Sequence, residues 1–106
     1  MTKKRDEFQL ASNELFLRLW EHRAHGTCEL KGKGCKGWWM PSPHHIIKRS
    51  QGYEKCKNEA WNILVLCPVC HYRADHPNSS INGLPKFTQA EQFELAEKLN
   101  RRYGIE

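Results

Sequence analysis

The apolar positions form two helical stripes near the ends of the chain and two strand-like runs in its middle. From Asp6 to about Arg23, the residues Phe8, Ser12, Leu15, Phe16, Leu19 and Trp20 recur at steps of three and four, which puts them on one helix face. Gly26 follows as a stop, and residues 2–5, Thr-Lys-Lys-Arg, read as a frayed basic tail. A second helix opens at Thr88, where Glu91 three residues on completes a capping box. Its stripe is Ala90, Phe93, Ala96, Leu99 and Tyr103, and Gly104 ends it. Both stretches read as packing helices. His22 and His25 fall at the end of the first, where a basic group complements the helix dipole.

Between them the period changes. Trp38-Trp39-Met40 reads as the start of a strand, and Pro41 and Pro43 keep the backbone extended. His44 to Lys48 continues as an extended strand. Successive side chains on a strand point to opposite faces, so the adjacent His44 and His45 are free to take separate jobs. Trp61 to Leu66, rich in aliphatic residues, is the second strand. The two form a hairpin whose connection, Arg49 to Ala60, is a long polar loop with an exposed Cys56. Pro68 suits a first helical turn, so a short helix runs to about Asp75, where Pro77 prevents extension. Residues 77–86 are a loop. The class is α+β, read as a single domain with a core at about 27–77 and flanking helices at about 6–24 and 88–103.

Composition sharpens this picture. A chain of 106 residues with 39% hydrophobic content has little margin for a core, so a metal staple is expected. No stretch is long and apolar enough for a membrane span, and no signal-peptide pattern opens the chain, so the expected setting is cytoplasmic, with no membrane partner. In a reducing compartment the Cys67/Cys70 pair favours metal over a disulfide. The net charge of +5 fits a polyanionic partner. Lys31, Lys33, Lys36, Lys48, Arg49, Lys55, Lys57 and Arg73 crowd the middle of the chain, while the acids lie mostly in the flanking helices.

Two cysteine pairs, Cys28 with Cys35 and Cys67 with Cys70, form a four-thiolate pattern suited to structural zinc, a borderline-soft ion satisfied by four ligands. Such a site ties the loop before the first strand to the start of the short helix. The six residues between Cys28 and Cys35 are more than a usual knuckle has, and the downstream pair gives that spacing its weight. Cys56 is left over.

His44-His45-Ile46-Ile47, then Asn62 with Leu64 and Leu66, then Cys67-x-x-Cys70-His71, together resemble the HNH endonuclease family, also called the ββα-metal or His-Me finger nucleases. The resemblance spans about Cys28 to His76, and the nine-residue step from Asn62 to His71 is similar to the family's spacing. It implies a metal-dependent hydrolase that cleaves DNA phosphodiester bonds, in a setting such as phage or mobile-element DNA processing. It implies His45 as general base, a task suited to a side chain that titrates near working pH. It implies His44 and His71 as ligands of a catalytic divalent cation (Mg2+, Mn2+, Ni2+ or Zn2+), and Asn62 as the amide that pins the hairpin loop and helps orient His45. Asp75, one helical turn beyond His71, and His76, one residue further, are both candidates for a third ligand, and a plain helix end is the alternative. Lys48, Arg49 and Arg73 are candidate phosphate contacts. Trp38 and Trp39 read as core residues, with base stacking as the alternative. The expected partners are DNA and other DNA-processing proteins. Two further readings stay open: a zinc-stapled DNA-binding module that does not cut, and a structural or interaction protein working through its helices.

Overall fold

The computed structural model describes residues 2–31, 35, 37–52, 54–81 and 83–105, with the side chains of residues 2–4 outside that description. Lys33 and Lys36, part of the expected basic crowd, lie outside the described residues. The elements are α1 (Thr2–Leu19), a π-helical turn (Trp20–Ala24), β1 (Ser42–His45), 3-10 turns at Arg49–Gln51 and Ala60–Asn62, β2 (Ile63–Leu66), α2 (Pro68–Asp75) and α3 (Gln89–Tyr103). Three helices and a two-stranded antiparallel sheet make a small α+β fold. Among the described residues no helix is long and apolar enough to cross a membrane.

β2 is the centre of the packing. Its four residues, Ile63-Leu64-Val65-Leu66, are all buried, because both faces of the sheet are covered. Alternation divides them. Ile63 and Val65 join Leu19, Ala24 and Ala60, with Leu15, Phe16 and Trp20 of the N-terminal helical segment packed around them. Leu64 and Leu66 join Cys28, Ile46, Cys67, Cys70, Ala74, Phe87 and Ala96 on the side of α2 and α3. β1 pairs with β2 in the register Ser42 to Leu66, Pro43 to Val65, His44 to Leu64 and His45 to Ile63. Residues directly opposite share a face. That register therefore sends Ser42 and His44 toward α2 and α3, and His45 toward α1.

A buried ion pair locks the layers together. Arg23, in the π turn, donates from Nε to Glu29 at 2.6 Å and from Nη2 to Glu29 at 2.8 Å. Its remaining donors reach the carbonyls of Ala60 and Ile63 and the Oδ1 of Asn100 on α3. Glu29 in turn accepts from the Val65 amide at 2.7 Å. One side chain thus joins the π turn, β2 and α3, and its donors are satisfied within the core.

Several expectations need correction. α1 starts at Thr2 and not at Asp6, since Lys3, Lys4 and Arg5 are good helix formers that extend it. Its far end widens into the π turn and closes on His25 in the left-handed conformation (φ 54°), followed by Gly26 (φ 76°). Trp38, Trp39 and Met40 do not start a strand and are not core. They are exposed in a turn where Gly37 (φ 58°) and Met40 (φ 47°) bend the chain, so β1 begins only at Ser42. β1 likewise stops at His45, because Ile46 and Ile47 turn to meet Asn62. Cys56 is buried and not exposed: the loop after β1 folds back, with the Cys56 amide donating to the Gly52 carbonyl at 2.9 Å. Burial pushes that thiol up from its usual pKa, which opposes oxidation.

α2 and α3 match their sequence signals. Cys67 precedes α2 with Pro68 in its first turn. Thr88 caps α3 by accepting from the Glu91 amide while Glu91 accepts from Thr88, and Gly104 (φ 66°) ends it. The buried face of α3 is rotated from the expected stripe, however: Gln92 and Ala96 are buried and Ala90 is exposed.

Candidate metal centres and the cleft beside them

The cysteines come together as the spacing implies. Ligand atoms of Cys28, Cys35, Cys67 and Cys70 all lie within 4.8 Å of one another. The Cys35 and Cys67 sulfurs are 3.8 Å apart, and tetrahedral zinc with bonds of about 2.3 Å spaces its sulfurs by about 3.8 Å. Backbone N–H groups support the sulfurs: Gly37 donates to Cys35 at 3.2 Å, and Leu30, Lys31 and Cys67 to Cys28. The thiols also hold one another's protons. A hydrogen bond from Cys70 lowers Cys28 to about 4, and the same contact raises Cys70. Burial raises Cys35. Four thiols so placed cannot all ionise unaided, whereas a coordinated metal removes that constraint by taking each as thiolate. The donor set and its spacing fit structural zinc.

A second cluster joins the same helix to β1. His44, His71 and Asp75 offer ligand atoms within 4.8 Å of one another. Nδ1 of His44 is 3.4 Å from Oδ1 of Asp75, and Nε2 of His71 is 3.7 Å from Oδ2. The two imidazole rings meet edge to face at 5.1 Å. Of the two candidates for a third ligand, the structure brings in Asp75 and leaves out His76. His76 ends α2, donates to the Tyr72 carbonyl at 2.9 Å and stacks on the Tyr72 ring. His71 and Asp75, four apart, share a helix face, and His76 is rotated a further ~100°.

Each of the two histidines has a support. Gln92 of α3 holds Nε2 of His44 at 2.8 Å. Ser42, on the same face of β1 as His44, holds Nδ1 of His71 at 3.0 Å. Burial lowers His44 to about 4, so the ring is neutral at neutral pH and able to act as a ligand. Two histidines and a carboxylate, with their remaining ring nitrogens fixed, form a set suited to a divalent ion with open positions.

His45 faces the other way, as its register requires, but opens into the same cleft. A cavity of about 230 Å³ is lined by His44, His45, Lys48, Arg49, His71 and Asp75. The tautomer of His45 follows by elimination. Asn58 donates from Nδ2 to the carbonyl of Phe8 at 3.0 Å, so its Oδ1 faces His45 and accepts from Nε2–H at 2.9 Å. Nδ1 is then the basic atom. Burial holds this ring below its usual value against the Asn58 hydrogen bond, which keeps it neutral and ready to take a proton. The Phe8 ring lies 5.6 Å from the imidazole.

Asn62 is fully buried and makes three contacts: Oδ1 accepts from the Ile47 amide at 2.8 Å, and Nδ2 donates to the Ile47 carbonyl at 3.3 Å and the Lys57 carbonyl at 3.0 Å. It fastens the chain just after His45 to the loop just before Asn58. Sequence reading missed Ser42, Asn58 and Gln92. Gln92 sits one turn before Ala96 on the face that α3 buries, a face that only the packing of α3 reveals.

The basic residues divide. Lys48 lines the cavity and pairs with Oδ1 of Asp75 at 3.0 Å; Arg49 lines it too, over the Phe8 ring and donating to Gln9 at 3.2 Å. Arg73 is a correction. It is buried and donates to the Pro85 carbonyl at 2.8 Å, because two residues past His71 on a helix is about 200° around, away from the cleft. Compared with protein-family models, curated proteins and solved structures, the chain matches none of them.

Proposed function

We propose that the chain is a zinc-stapled endonuclease of the HNH, or ββα-metal, type, hydrolysing DNA phosphodiester bonds with one divalent ion. The observation that carries this reading is the cleft itself: His44, His71 and Asp75 gather at one end, His45 opens into it, and Lys48 and Arg49 edge it. Phosphodiester hydrolysis needs a deprotonated water, a stabilised charge on phosphorus and a held phosphate. His45 Nδ1 takes the proton of the attacking water, whose oxygen bonds phosphorus as the bond to the leaving oxygen breaks. His44, His71 and Asp75 would hold the ion, which when bound would supply Lewis-acid stabilisation of the charge on the phosphate. Lys48 and Arg49 hold phosphate oxygens, and Asn62 acts through position, keeping the strand end and the Asn58 loop in register around His45. The four cysteines fix α2, with His71 and Asp75, against the hairpin.

A plasmid-nicking assay with added divalent ions, run beside a DNA-binding measurement, tests the reading. Metal-dependent nicking supports it. Binding without cleavage in any divalent ion points to a zinc-stapled DNA-binding module, which the exposed Trp38, Trp39 and Met40 also favour. Neither activity points to an interaction protein.

A further inference from the structure

We propose that Gln92, on α3 and outside the hairpin and helix of the cleft, is the positioning residue that makes Nδ1 of His44 a metal ligand. The proposal rests on the reading of His44, His71 and Asp75 as a cation site. It does not require that the bound ion serve DNA cleavage.

Gln92 is buried, and its Nε2 donates to two carbonyls, Phe87 at 2.9 Å and Ala74 at 3.1 Å. Carbonyls only accept, so this end of the amide must be nitrogen and the other end oxygen. Oε1 lies 2.8 Å from Nε2 of His44 and can only accept, so Nε2 carries the ring proton. In the neutral ring Nδ1 is then a bare lone pair, and it faces Oδ1 of Asp75 at 3.4 Å. Two acceptors directed at each other repel, and a cation between them turns repulsion into two bonds. Lys48, 3.0 Å from the same carboxylate oxygen, meets part of that demand.

The position of Gln92 is itself well determined. Its amide donates to the Thr88 carbonyl at 3.0 Å, one turn inside the capping box, and Gln89 donates to the Ile46 carbonyl at 3.4 Å. The start of α3 is therefore docked on the end of β1 and on the last turn of α2. Through Gln92 the C-terminal helix reaches the ion site it does not line. On His71 the Ser42 hydroxyl sits at Nδ1, leaving Nε2 toward Asp75. The two histidines thus present opposite ring nitrogens, Nδ1 from the strand and Nε2 from the helix.

The test uses the zinc-loaded full chain with Ni2+ as the probe ion. Long-range proton–nitrogen NMR of the nickel-free protein, with His44 assigned by comparison with His44→Ala, should show Nε2 protonated and Nδ1 bare. Gln92→Met should raise the Ni2+ Kd about 10-fold or more, the scale for loss of a residue that orients a ligand. Gln92→Glu keeps an acceptor for Nε2–H while turning its other oxygen on the Phe87 and Ala74 carbonyls, and should recover most of that affinity at a lower melting temperature. A purely structural Gln92 would lower the melting temperature of both variants and leave the Kd of the folded protein unchanged. A proton on Nδ1 in the wild type, or an unchanged Kd in Gln92→Met, overturns the proposal, and the wild-type spectrum decides even if a variant fails to fold. Absence of any Ni2+ binding that depends on His44, His71 and Asp75 overturns it together with the cation site. Ni2+ binding without nicking removes the nuclease reading alone, and the Gln92 arms still decide this one.

Discussion

Nδ1 of His44 lies 3.4 Å from Oδ1 of Asp75, 31 positions along the chain, while Nε2 of the same ring is engaged by Gln92 at 2.8 Å. With the ring proton on Nε2, the pair sets a nitrogen lone pair against a carboxylate oxygen that Lys48 also reaches at 3.0 Å, an arrangement a cation stabilises. If it serves a divalent ion, Asp75→Ala should weaken Ni2+ or Mn2+ binding about 10-fold or more. His76→Ala should leave it unchanged, since that ring is turned onto Tyr72. Calorimetry on both variants checks this; equal losses would return His76 to the ligand set.

The four-cysteine site should govern folding. Structural zinc contributes on the order of 10 kcal/mol, comparable with the whole stability of a small domain. Cys67→Ser should therefore lose its zinc, measured by elemental analysis, and lose a cooperative melting transition near the wild-type temperature. An unchanged melting temperature would remove zinc from the account. Cys56→Ser should keep the metal, because Cys56 stands apart from the cluster.

The Arg23–Glu29 pair should behave as a buried pair does. Arg23→Met leaves Glu29 charged and unpaired in the core, at a cost of about 3–5 kcal/mol. The double variant Arg23→Met with Glu29→Leu should recover part of that loss, though the Val65 amide then lacks its acceptor. Denaturant unfolding of the three proteins measures it, and a single variant as stable as wild type would contradict the burial argument.

The cationic rim should separate from the buried arginine. DNA affinity should fall as salt rises, with Lys48→Ala and Arg49→Ala each lowering the slope of log K against log salt by about 1. Arg73→Ala should leave that slope unchanged and lower stability instead, since its side chain is buried and donates from Nη2 to the Pro85 carbonyl. A change of slope in Arg73→Ala would return it to the DNA-binding surface.

What could be read in advance was whatever depends on local spacing. The alternation at His44-His45, the Cys-x-x-Cys pair next to His71, and the Thr88–Glu91 cap each involve residues a few positions apart, and the structure has them as read. The residues that orient the histidines were not legible, because their partners are distant: Gln92 is 48 positions from His44, Ser42 is 29 from His71, and Asn58 is 13 from His45. Arg73 was misplaced because charge was read without the helix angle that turns it from the cleft. Cys56 and Trp38 were misplaced in opposite directions, since the burial of a loop residue depends on how the loop folds and not on its composition.

The central claim is that His45 takes a proton from water in a cleft completed by a divalent ion. Plasmid nicking by wild type and His45→Ala, assayed in Mg2+, Mn2+, Ni2+ and Zn2+, tests it most directly. The account predicts ion-dependent conversion of supercoiled to nicked plasmid by the wild type, and a loss of about 100-fold or more in His45→Ala with DNA binding retained. Undiminished nicking by His45→Ala, or none by the wild type in any of the four ions, would contradict it.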